Sequence, residues 1–199
     1  MEENKGFGAF FKTNFDAISK LFLNHVAMCV FSMVVILAVQ MITEQAKDDS
    51  TIKMGVPAYI AGGFAILFYL CLIYVCMWEK GAADKIKIDG GRLKKNYFKG
   101  LLFWLVANSI NIFILVNVAI LSFIPVANNI HGIFSIIAMF CNAMYMPEFS
   151  LFGNLNMTSL FLVTLIPGAV VAWLSYISGI KGHKCIFPEP RKEQNRKVR

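Results

Sequence analysis

The chain has 199 residues, 57% of them hydrophobic, with 19 lysines and arginines against 12 acids and a formal net charge of +7. Soluble domains carry about 45 to 50% apolar residues, so this composition excludes an ordinary soluble domain and leaves an integral membrane protein. A crossing helix needs roughly 20 apolar residues, each advancing about 1.5 Å through a hydrocarbon core about 30 Å thick, and the chain has room for four or five.

Residues 1–20 begin with Glu2 and Glu3, which spoil the positive start of a signal sequence, and the apolar run after Lys20 has spanning length without a small-residue cleavage site. Neither a cleavable signal nor a targeting peptide is expected. Phe7, Phe11, Phe15, Ile18 and Phe22 recur at helical spacing among Lys12, Asn14, Ser19 and Lys20. That pattern predicts an amphipathic in-plane helix over 1–20. A helical transmembrane domain follows over 21–180, and a basic cytoplasmic tail over 181–199.

Four spans are predicted in that domain, at 21–42, 57–78, 101–123 and 159–180. Pro57 sits in the tolerated first turn of the second, and Pro125 closes the third. Ala58, Ala61, Gly62 and Ala65 form a smooth strip on the second span, as do Gly168, Ala172, Ser175 and Gly179 on the fourth. Helices associate in lipid by close approach across such strips, so these two spans are expected to pair. Asn108 and Asn111 share a face of the third span beside Ser109. They are suited either to bonding a ligand or to bonding neighbouring helices.

A fifth apolar stretch, 130–146, is only about 17 residues long, at the lower edge of what can span. Between Lys99 and Lys181 the chain has no lysine or arginine, and Glu148 is its only formal charge. Three cations precede the first span and two follow it. Seven lie between the second and third spans (Lys80, Lys85, Lys87, Arg92, Lys94, Lys95 and Lys99), and another seven follow the last. Short loops rich in lysine and arginine stay cytoplasmic, so the amino terminus, the 79–100 loop and the tail are expected inside the cell membrane, which requires an even number of crossings. Residues 126–157 are therefore read as a re-entrant or interfacial segment, with Asn128, Asn129 and His131 near its start and Glu148 in a solvated outer loop. Five spans is the alternative. If the segment dips inward it marks a cavity, since non-helical backbone at membrane depth must be shielded by protein or line water.

The chemistry-bearing motifs are absent from the sequence. His25 and His131 have neither a second histidine nor an acid at i+3 or i+4, the five cysteines form no Cys-x-x-Cys pair, and no protease, hydrolase or phosphate-loop pattern occurs. No catalytic residue, metal or cofactor is assigned, and no nucleic-acid partner, because the basic tail has a membrane reason for its charge. The 79–100 loop sets seven cations against Glu79, Asp84 and Asp89, a net +4. It should attract anionic headgroups at about 1 kcal/mol per basic residue near the surface. Gly90 and Gly91 predict a turn within it.

The stretches Trp78-x-x-Gly81-x-x-Asp84, Gly91-Arg92-Leu93-Lys94-Lys95 and Tyr176-x-x-Gly179-x-Lys181-Gly182 resemble small polytopic bacterial membrane proteins. The resemblance implies a bacterial cytoplasmic membrane and carries no activity with it. Two functions are consistent with these features. One is a non-catalytic membrane subunit that docks anionic lipid and a cytosolic or membrane protein partner through Lys80, Lys85, Lys87, Arg92, Lys94, Lys95 and Lys99. The other is a small-solute binding or transport protein with a site between the third span and 126–157, lined by Asn108, Asn111, Asn128, Asn129 and His131. The sparseness of polar residues within the spans favours the first.

Overall fold

A computed structural model describes residues 6–45, 55–124, 128–149 and 157–183. The regular elements among the described residues are all helices, with no strand: α1 Phe7–Gln45, α2 Gly55–Asp89, α3 Lys99–Ala107, α4 Ser109–Leu121, α5 Asn128–Cys141, a 3-10 turn Ala143–Tyr145, α6 Met146–Phe149, α7 Met157–Val163 and α8 Leu165–Lys181. Three helical stretches are long and apolar enough to cross a membrane, Gly8–Val39, Val56–Asp89 and Ser159–Lys181, and up to five if each of two bent pairs counts as one span. The described elements are thus all-helical and compatible with membrane spans, and they leave large apolar side chains such as Leu37, Ile60, Leu67 and Phe113 exposed.

Three expectations are corrected by this architecture. The segment 1–20 is not a separate in-plane helix. From Phe7 it forms the first turns of one unbroken 39-residue helix, about 58 Å long at 1.5 Å per residue. Its inward face is Asn14, Ala17, Ile18 and Leu21, while Phe11 and Phe15 point outward. Much of the 79–100 loop is also helix, because α2 continues past Trp78 to Asp89. The third predicted span, finally, is two helices meeting at Asn108 with a 67° bend.

Hydropathy sees none of these breaks, and a polar side chain stands at each. Asn108 leaves helical geometry at φ −94°, ψ 10°, and its amide Nδ2 donates to the Trp104 carbonyl at 3.1 Å. Asn142 does the same at φ −121°, ψ 24°, donating to the Ala138 carbonyl at 2.9 Å, where the chain bends by 77°. Both asparagines also keep their backbone bonds to the same carbonyls, and Asn14 and Asn117 make the same side-chain bond inside unbroken helices, so the amide marks the bend without being sufficient for it. Between α7 and α8 the helix is interrupted at Thr164 without a sharp bend. Pro167 has no N–H for the Val163 carbonyl, three residues after the interruption begins.

The α2–α8 pair forms the most extensive helix contact, as expected for the second and fourth predicted spans. The α8 strip is used along its length, with Gly168 against the Trp104 indole, Ala172 against Gly100, and Gly179 against Trp78, Gly81 and Ala82. On α2 the contact lies lower than the predicted Ala58–Ala65 strip, at Gly81, where a Cβ would run into the Tyr176 carbonyl. Both helices end in the same cap. The N–H groups of Gly91 and Arg92 reach back to the Ile88 and Lys87 carbonyls, and those of Gly182 and His183 to the Gly179 and Ser178 carbonyls. Gly91 (φ 68°) and Gly182 (φ 76°) supply the left-handed residue that closing this loop requires. The predicted Gly90-Gly91 turn is therefore the end of α2.

These contacts also fix which ends lie together. Phe10, near the start of α1, stacks on Phe103 near the start of α3, and Phe103 meets Tyr176 near the end of α8 edge to face. Trp78 of α2 donates from Nε1 to the His183 carbonyl at 2.7 Å. The start of α1, the end of α2, the start of α3 and the end of α8 therefore gather at one end of the bundle.

Candidate functional site

At that shared end lies a saturated ionic cluster. The Asp84 carboxylate, 1% exposed, accepts from Lys99 Nζ at 2.7 Å and from the Tyr176 hydroxyl at 2.8 Å, and Lys80 Nζ stands 3.6 Å from its other oxygen. Both ammonium groups also lie over the Phe103 ring, 5.6 Å from its centroid. Lys80 and Lys99, read from sequence as lipid- or partner-facing, are thus held inside the protein, and Lys85 lies against Gly182 at the end of α8, where the helix carbonyls favour a cation. Lys87, Arg92, Lys94 and Lys95 remain exposed around the cap at Gly91. The residues of the Trp-x-x-Gly-x-x-Asp and Tyr-x-x-Gly stretches come together in this packing.

A second polar cluster sits midway along the bundle, where all three helix interruptions meet. A cavity of about 10 Å³, the room of a single water molecule, is lined by His25, Tyr69, Trp104, Asn108, Asn111, Asn142, Tyr145, Thr164, Leu165 and Gly168. Asn111 and Asn142 exchange amide hydrogen bonds at 3.2 and 3.4 Å, and the Thr164 hydroxyl donates to Asn142 Oδ1 at 3.1 Å. His25 Nδ1 and the Tyr69 hydroxyl are 3.0 Å apart, their rings meeting edge to face. Three buried atoms of this lining, His25 Nε2, Trp104 Nε1 and the Tyr145 hydroxyl, make no well-formed hydrogen bond within the protein, although the Cys141 backbone lies near the His25 ring and Tyr69 near the Trp104 indole. Buried polar groups are nearly always bonded, so these three leave hydrogen-bonding capacity facing a cavity the size of one water. A single occupant here would find donors on the indole and hydroxyl and either role on the imidazole.

Of the five residues predicted to line a ligand site, the structure brings Asn108 and Asn111 to this cavity. Asn128, Asn129 and His131 stand at the opposite end of α5 from the Asn142 bend, Asn129 exposed and His131 with a buried Nε2 that has no partner. They do not join the cavity. Sequence reading missed Asn142, Tyr145, Thr164, Tyr69 and Trp104. Asn142 lies beyond any proline or glycine signal, and His25, noted for its lack of a metal partner, gains its neighbour only when α1 packs on α2.

Glu148 also departs from expectation. In place of a solvated outer loop, α6 presses it onto α2, with its carboxyl oxygens against Gly62. Both oxygens are buried and neither has a hydrogen-bond partner. A separate crevice of about 450 Å³ between α1 and α5, lined by Met33, Ile36, Leu37, Ile136, Met139 and Phe140, is apolar and carries no polar recognition.

Comparison with protein-family models, with curated proteins and with solved structures finds no match.

Proposed function

We propose that the chain is a multi-pass protein of a cell membrane that binds or passes a small polar solute at the mid-bundle cavity. The observation that carries this reading is the meeting of the Asn108, Asn142 and Thr164 interruptions at one cavity with three unpartnered polar atoms. Discontinuous helices meeting near the bilayer midplane are how membrane proteins expose backbone and side-chain polar groups to a solute. The topology that goes with it is four crossings and a re-entrant hairpin. α5 descends to Asn142, beside Asn111, and α6 returns along α2 to Gly62, so the hairpin enters and leaves on one side. Both termini then face the cytoplasm, the side of the cap at Gly91 with its exposed Lys87, Arg92, Lys94 and Lys95. The one-water size of the cavity makes this a closed arrangement, and a larger solute requires the hairpin to move.

The docking-subunit reading keeps one supporting observation, the four exposed cations around Gly91, which suit anionic headgroups or an acidic cytosolic partner. It loses Lys80 and Lys99 to Asp84, and it leaves the mid-bundle orphans without a purpose. The test is reconstitution into liposomes with stopped-flow light scattering against urea, glycerol and methylammonium. Permeation of at least one probe above protein-free vesicles, abolished by Asn142→Leu, is the expected result. Permeation equal to protein-free vesicles for all three probes rejects the reading.

A further inference from the structure

We propose that Glu148 is a proton-binding site that latches the re-entrant hairpin against α2. This rests on the solute-site reading only in that the same hairpin carries Asn142 and Tyr145 into the cavity. Gly62 leaves the space the carboxyl occupies, since a Cβ there would stand 2.5 Å from Oε1 and 2.6 Å from Oε2. The seat therefore fits the carboxyl group, yet offers it no cation and, beyond a strained approach to its own backbone N–H, no donor.

The titratable groups on the elements packed around it, short of the charged end of α2, are Tyr59, Tyr69, Cys71, Tyr74 and Cys76 of α2 and Tyr145 of the 3-10 turn, with none on α7. The charged residues of α2 begin at Glu79, 17 residues beyond Gly62, which places them about 25 Å along the helix. An ionised carboxylate with neither hydrogen bond nor counter-ion is far costlier to hold out of water than the neutral acid. Glu148 therefore sits on Gly62 as the neutral acid. When its proton leaves to water, the carboxylate left behind cannot stay in that seat, and the hairpin lifts from α2. Because Asn142 and Tyr145 belong to the same hairpin, release of the proton opens the cavity.

The test uses the full chain in lipid nanodiscs and needs no solute. Infrared difference spectra of wild type and Glu148→Gln at neutral pH should differ by the carbonyl stretch of one neutral carboxylic acid. Raising the pH should remove that band and, after correction for intrinsic exchange, lower the protection of amides 142–149 by about tenfold, the signature of a local opening. Glu148→Gln should keep that protection across the same range. A spectrum with no neutral acid at Glu148, or a variant hairpin that opens with pH as wild type does, overturns the latch. If Glu148→Gln does not fold, the wild-type band and its loss with pH decide alone. The two readings fail separately. A hairpin that titrates in a protein whose liposomes pass none of the three probes rejects the solute site and keeps the latch, and probe permeation without a neutral Glu148 does the reverse.

Discussion

Asp84 and the mid-bundle cavity both bury polar groups among apolar helices, yet they differ in completeness. Each oxygen of Asp84 faces a cation or a hydroxyl, whereas the cavity leaves His25 Nε2, Trp104 Nε1 and the Tyr145 hydroxyl unpaired. The first arrangement is what a buried charge needs in order to be tolerated at all. The second is tolerated only because the orphans are neutral, and it leaves recognition unspent. Comparing the two teaches that burial alone does not mark a functional site in such a bundle; an incomplete hydrogen-bond inventory does.

Substitutions at matched positions sharpen this contrast. Asp84→Ala should have the largest effect, because it strands two ammonium groups that are only 18% and 14% exposed. A loss of about 3 to 5 kcal/mol is expected in reversible unfolding in mixed micelles. Tyr176→Phe removes one hydrogen bond to a charged group and should cost about 1.5 to 3 kcal/mol by the same measurement. Asn142→Leu deletes bonds to Asn111 and Thr164, but intramembrane hydrogen bonds are worth only about 0.6 kcal/mol on average, so its stability should change little while probe permeation in liposomes is lost. Tyr145→Phe should be the mildest. Removing an unpaired buried hydroxyl is expected to leave stability unchanged or raise it by less than about 1 kcal/mol. Equal losses for Tyr176→Phe and Tyr145→Phe would erase the distinction between the clusters.

The apolar lengths, the uncharged tract from 100 to 180 around Glu148, and the small-residue faces were legible in the sequence because they depend on composition and spacing. The α2–α8 pairing was legible for the same reason, though its α2 half lies at Gly81, in a stretch that its charges disguised as loop. Hydropathy averages over the polar residues 79–89 and so ends a helix where the backbone does not. The bends at Asn108 and Asn142 were not legible, since neither has the proline or glycine that announces a break. Each carries a side-chain amide reaching back one turn, a bond that Asn14 and Asn117 also make without a break. Asn111 was readable as a polar face but its partner was not, because the pairing with Asn142 joins residues 31 apart across two helices. Asp84 likewise read as one charge among ten, and its role emerged only with Tyr176, 92 residues on.

That last separation has a consequence for biogenesis. Synthesis proceeds from the amino terminus, so the partners of Asp84 reach it in a set order. Lys80 is on the same helix and already present, Lys99 emerges 15 residues later, and the Tyr176 hydroxyl arrives only 92 residues after Asp84. Until then the carboxylate is held by cations alone, and the seats at Gly81 and Gly100 that receive α8 stand open. A chain truncated before residue 176 would lack the hydroxyl and the α8 backbone that complete this end of the bundle.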